Sequence, residues 1–248
     1  MRTVLADFKS SLNRIRAVTG RIVSETAAAL ASPQVRELHE TQQCGAVVLT
    51  TGYLEAFLKD LVRRFIADLS QSGIDFQTLP GTIRDRHFEG GGDFVRKASI
   101  AGRSGHATPF GSVSREDVVA RLHSVTSGAT FDLVWEAFAD TEANPGPAVV
   151  RKIGVALGLD RNHFWAEVSS RCGSPTWSAT AMQASLRALI DKRNACAHTG
   201  MVSPVPAAAE IIEYVEMLAA LGTGIVATLE DHLTTLAPHP PPAAAPPP

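Results

Sequence analysis

Apolar residues recur every three or four positions along most of this 248-residue chain, and nowhere do they alternate strictly with polar ones. That period suits helices and not half-buried strands, so the sequence predicts an all-α fold. The first run carries Leu5, Phe8, Leu12, Ile15, Ile22 and Val23 over roughly residues 3 to 30, with Lys9, Arg14, Arg16 and Arg21 on other faces. Ser32 followed by Pro33 is an N-cap and first-turn pair that opens a second helix. This helix runs to about Leu69 with Gly45 and Gly52 inside it, and one long helix, two helices or a kink at either glycine fit equally well.

The middle of the chain is less regular. Leu79-Pro80 introduces a short helix ending near His87-Phe88, and Glu89-Gly90-Gly91-Gly92 is expected to be a flexible loop. It is no phosphate cradle, because no strand precedes it and no GK[ST] follows. Residues 102 to 112 read as irregular. Ser114 begins a helix capped by Asp117, a short apolar stretch spans Phe131 to Phe138, and Asn144-Pro145-Gly146-Pro147 is a strong breaker. Val149, Val150, Ile153, Ala156 and Leu157 form an amphipathic helix that stops at Gly158, and Phe164 and Trp165 read as core aromatics. A helix over 178 to 199 and a last one carrying Ile211, Val215, Leu218, Ile225 and Leu229 follow. From Pro238 onward the sequence is only His, Pro and Ala, a disordered or polyproline tail.

Charge and cysteine usage narrow the setting. The net charge of −2 and pI of 6.4 give no global attraction to nucleic acid, so such a partner would be held by a local cluster or bound briefly. Cys44, Cys172 and Cys196 are odd in number and widely spaced, which argues for a reducing compartment and against a disulfide framework or a zinc site. No run approaches the ~18 consecutive apolar residues of a spanning helix, and no charged-then-apolar leader opens the sequence. The expectation is a cytoplasmic protein that does not engage a membrane.

Chemistry concentrates in one stretch, Asp191-Lys192-Arg193-Asn194-Ala195-Cys196-Ala197-His198-Thr199-Gly200, which follows the apolar positions Met182, Leu186, Leu189 and Ile190. Asn194 and His198 are four apart and share a helix face, while Arg193 is turned about 140° from His198. Only Arg193's long side chain, or a second copy of the helix, could bring guanidinium and imidazole to one substrate. His198 falls in the final turn, where the helix dipole favours a protonated ring; that suits a proton-transfer group and a capping histidine alike. The bare Arg-to-His spacing carries little information, since 18 Arg and 8 His supply about 1.7 such pairs by chance. Glu55 and Lys59 form an i,i+4 pair, read either as a surface ion pair or as a polar edge facing Arg193 or a partner subunit. Cys196 reads as a small packing residue, and the scattered histidines His39, His87, His106, His123, His163 and His232 assemble no metal motif.

Leu189 to Gly200, an LIxxRNxxAHxG pattern, resembles the Arg-Asn-x-x-x-His signature of HEPN domains, and the fuller likeness is to their RiboL-PSP-HEPN branch. Leu54-Glu55-Ala56-Phe57-Leu58-Lys59-Asp60-Leu61-Val62 resembles that branch's early helix, and Leu79-Pro80 with Ile83-Arg84 its LPxxIR segment. Asn144-Pro145 through Ile153, Gly158-Leu159 and Phe164-Trp165 are similar to its NP-helix-GL-FW segment. The pieces fall in the right order over residues 54 to 200. The departures are the glycine run at 89 to 92, Cys196 in place of an aliphatic residue, and the proline tail.

The resemblance implies a helical bundle of HEPN type over residues 1–237, with residues 75–175 a less regular helical insertion and 238–248 a tail. It further implies an endoribonuclease that needs no metal or cofactor and works as a homodimer with a composite active site. On that reading His198 is general acid or base, Arg193 holds the scissile phosphate, and Asn194 orients one or the other. Glu55 and Lys59 support Arg193. The setting implied is toxin–antitoxin or phage defence, with an antitoxin or sensor protein as a further partner. The other reading kept open is a non-catalytic helical module that binds protein or RNA on the same fold.

Overall fold

The computed structural model describes residues 1–25, 27, 32–104, 114–127, 131–139, 141, 144–199 and 204–237; for 97–104, 127, 198 and 199 it describes the backbone alone. The described residues form eight α-helices and no strand, the all-α architecture the apolar period predicts. Four long helices make the bundle: α1 (Arg2–Ser24), α2 (Pro33–Gln71), α7 (Ala179–Thr199) and α8 (Ala208–Leu236). α2 packs on α1, α7 and α8, and α8 also packs on α1 and α7.

Periodicity decides which face of each helix turns inward. α1 buries Phe8, Leu12, Ile15, Thr19 and Ile22, and its Phe8 ring stacks on Phe57 of α2 with centroids 4.3 Å apart. Each such fully buried aliphatic or aromatic side chain stabilises by about 1.5–3 kcal/mol. α1 ends at Ser24 and turns at Glu25, short of the expected residue 30; residues 26 and 28–31 lie outside the described set. α2 starts where Ser32-Pro33 predicts, with Ser32 extended (φ −133°, ψ 117°), and runs unbroken through Gly45 and Gly52 for 39 residues. α8 is uncharged all round from Met217 to Leu229. Its mean hydropathy of 1.5 over 18 residues would suit a membrane span by length and composition, yet 67% of that window is buried in the bundle. Gly224 is where α8 meets the backbone of Val168 so closely that a Cβ would run into it, and Gly222 gives Phe8 similar room.

The region between α2 and α7 holds α3 (Gly81–Ser104), α4 (Arg115–Ser127), α5 (Pro147–Ala156), α6 (Phe164–Ser170) and two 3-10 turns, Phe76–Thr78 and Trp135–Ala137. Its glycine run is not a loop. α3 continues straight through Glu89-Gly90-Gly91-Gly92 and past His87-Phe88. A Cβ on Gly90 would sit 2.7 Å from Ala137, and one on Gly91 2.7 Å from Leu122. The glycines are there so that the second 3-10 turn and α4 can press on the α3 backbone. The expected irregularity from 102 is helical to Ser104, and residues 105–113 are outside the described set. The Ser114–Asp117 box is formed in both directions, at 3.0 and 3.3 Å. Gly158 ends the α5 turn at φ +93°, and Phe164 and Trp165 are buried as expected. The tail from Pro238 lies outside the described residues, apart from the preceding Ala237.

Candidate active site

α7 begins at Ser178, whose hydroxyl accepts from the Ala181 N–H, and buries Met182, Leu186, Leu189 and Ile190 against the bundle. Arg193 comes four residues after Leu189 and seven after Leu186, so the same period carries it onto the inward edge of the helix rather than into open solvent. There it is half-buried at the junction of α7 and α2.

Its Nη1 donates two hydrogen bonds of 3.1 Å, one to Oδ1 of the adjacent Asn194 and one to Oδ1 of Asn144. Asn144 stands 49 residues earlier, in the breaker before α5. Asn194 thus spends its carbonyl on Arg193, a more definite role than the choice between histidine and phosphate that the sequence leaves. Glu55 and Lys59 do form their pair, Nζ donating to Oε1 at 2.7 Å, and the buried Thr141 hydroxyl donates to the same oxygen at 3.0 Å. The Lys59 hydrogen bond, then Thr141's, and the charges of Lys59 and Arg193 hold the Glu55 carboxyl below the usual carboxylate range, against the partial burial that would raise it. Glu55 is therefore ionised and lies within electrostatic reach of Arg193. The pair is the half-exposed i,i+4 ion pair of the first reading, and Glu55 in addition feels the Arg193 charge.

His198 belongs to the last turn of α7; its side chain lies outside what is described. The helical register puts position 198 on the face of the exposed Arg187 and Asp191, about 140° round from Arg193. Gly200, the expected stop, is outside the described residues, and the chain is helical up to Thr199. Cys196 is buried beside Cys44 of α2, and burial first, then that neighbour, pushes its thiol up to about 12, which makes it a packing residue and no nucleophile. Among the described residues no three His, Cys, Asp or Glu side chains converge to hold a metal ion.

Sequence reading missed Asn144 and Thr141. Both sit in a segment that runs alongside α2: Arg63 lies over the Trp135 ring at 5.7 Å, Thr141 reaches Glu55 two turns earlier on α2, and Asn144 reaches Arg193. For Asn144 the signals were its place before a proline, which reads as punctuation, and its likeness to the family's NP-helix segment, neither of which points to Arg193; Thr141 had none. The groove between α1 and α2, about 390 Å³, is bordered by Tyr53, Asp60 and Arg63 and not by Arg193, Asn194 or Glu55.

Fold and site together define an all-α protein in which an Arg-Asn-x-x-x-His helix end is tied through Arg193 to Asn144 before α5 and lies near an ionised Glu55 on a neighbouring long helix. The RiboL-PSP-HEPN family model matches residues 21–234, most of the chain, and the protein belongs to that family of HEPN domains. HEPN domains are often ribonucleases, so membership of the family supports an RNase or other nucleic-acid-related role. No curated protein and no solved structure matches the chain.

Proposed function

We propose that this protein is an endoribonuclease that attacks RNA through the ribose 2′-hydroxyl without a metal ion, and that it acts in toxin–antitoxin or phage defence. The observation that carries the reading is Arg193. A guanidinium anchored through one nitrogen by two neutral carbonyl oxygens, beside a carboxylate already engaged by Lys59, keeps its charge and its remaining N–H groups for a phosphate. His198 supplies the proton transfer: one imidazole deprotonates the 2′-hydroxyl while another protonates the leaving 5′-oxygen. Asn194 holds Arg193, and Glu55 with Lys59 sets the charge around it.

Two copies of the His198 imidazole require two chains, so the active form is a homodimer with a composite site. Two features support this. Positions 193 and 198 face different sides of α7. Next to Glu55, α2 also carries an exposed stripe without charge from Thr41 to Ala56, including Gly45, Leu49 and Gly52. Leu49 is 53% exposed, and a Cβ added at Gly45 or Gly52 would meet nothing within 4 Å. Glycine in an exposed helix interior costs about 1 kcal/mol against alanine, and no described residue comes close to either glycine; close approach of a second α2 would offset that cost. An antitoxin or sensor protein is the further partner, and the site of action is cytoplasmic. The reading is tested by incubating RNA with the wild type, Arg193→Ala and His198→Ala. Cleavage by the wild type alone is the expected result, and equal cleavage by a folded variant contradicts the assignment.

A further inference from the structure

We propose that Asn144 is a positioning residue of this active site, delivered by the segment before α5, that fixes the plane of the Arg193 guanidinium for a phosphate of RNA. The proposal rests on the reading of Arg193 as the phosphate-binding group. A guanidinium has five N–H donors in a rigid fork. Here the two on Nη1 go to Asn144 Oδ1 and Asn194 Oδ1, and no acceptor among the described residues takes those on Nε or Nη2. Two bonds from one nitrogen, to acceptors on different elements, stop the fork from swivelling, and among the described residues its other edge has no acceptor, which suits a bidentate contact. Both acceptors are neutral amides. A carboxylate in either place would hold the fork as well but would cancel the charge that a phosphate needs. The nearby carboxylate, Glu55, gives Oε1 to Lys59 and Thr141 and makes no hydrogen bond to Arg193.

Asn144 is itself held. Its N–H donates to the Thr141 carbonyl at 3.1 Å, and its carbonyl accepts from Gly146 N–H at 2.7 Å. The buried Pro145 follows, and Gly146 with Pro147 opens α5, whose Val150 and Ile153 are in the core. Both backbone polar groups are thus used, and the side chain is aimed by a helix start rather than by a loose loop. A residue that merely closed this turn would need no amide reaching a charged group on α7.

The test compares single-turnover cleavage of a short single-stranded RNA by wild type, Asn144→Ala, Arg193→Lys and the double variant, with binding of the uncleavable all-2′-deoxy analogue measured by fluorescence anisotropy. Loss of orientation should slow Asn144→Ala about 10- to 100-fold. In the Arg193→Lys background the same change should cost less than about twofold, because an ammonium has no plane to orient. Asn144→Asp keeps shape and acceptor but adds a negative charge at the guanidinium, so it should bind the analogue several-fold more weakly. Equal losses in both backgrounds, an unimpaired Asn144→Ala, or wild-type binding by Asn144→Asp would each overturn the proposal while the nuclease stands. A wild type that neither cuts nor binds RNA would remove the functional reading, and this proposal with it.

Discussion

Arg193 is tied to its surroundings more tightly than a helix-end arginine usually is. Arg193→Ala leaves the Asn144 and Asn194 side-chain carbonyls without their charged donor, and hydrogen bonds to a charged group are worth about 1.5–3 kcal/mol each. That variant is expected to lose RNA cleavage and to melt at a lower temperature than wild type. His198→Ala should lose cleavage with little change in melting temperature, and Arg193→Lys should restore stability better than activity. Cleavage assays paired with thermal melts check all three. Arg193, Asn194 and their adjacency were legible because they share one helix, where spacing fixes geometry. Asn144 and Thr141 were not, because contacts across 49 and 86 residues leave no period in the sequence.

Elements were legible wherever period and punctuation agreed. Ser32-Pro33, Ser114 with Asp117, and Gly158 each mark a boundary the structure keeps. The glycine run in α3 was misread because glycine serves both a turn and a close approach, and only the neighbours decide between them. Gly90→Val is accordingly expected to destabilise by about 1–3 kcal/mol through overpacking on Ala137, measured by denaturant titration. The segment that carries Thr141 and Asn144 is pinned to α3 and α4. His87 Nδ1 accepts from the Val134 N–H at 3.2 Å, and the buried Glu136 carboxylate pairs with Arg121 at 3.2 Å. Burial lowers the His87 ring to about 4, so the unfolded chain takes up a proton before the folded one does. Its contribution is fully present above about pH 6.5 and is lost as pH falls toward 4, by up to roughly 3 kcal/mol. Stability measured over that window should show the loss, and His87→Gln should flatten it; an unchanged slope in the variant would contradict it.

For the whole molecule, the four-helix core explains how the site is placed, while the uncharged stripe on α2 concerns what assembles on it. The protein is expected to be a dimer by light scattering at micromolar concentration, and Leu49→Glu or Gly52→Glu to yield a folded monomer without nuclease activity. A strict wild-type monomer would count against the composite site. The bundle was readable from sequence because it is made of long amphipathic helices; the uncharged stripe on α2 was not, since an exposed glycine looks like any other until its surroundings are known. The central claim is that the substrate's own 2′-hydroxyl is the nucleophile, and end-group analysis of RNA cut in the presence of EDTA tests it most directly. RNA cut under these conditions is expected to carry 2′,3′-cyclic phosphate and 5′-hydroxyl ends. Cleavage that stops in EDTA, returns with magnesium and leaves 3′-hydroxyl and 5′-phosphate ends would contradict it.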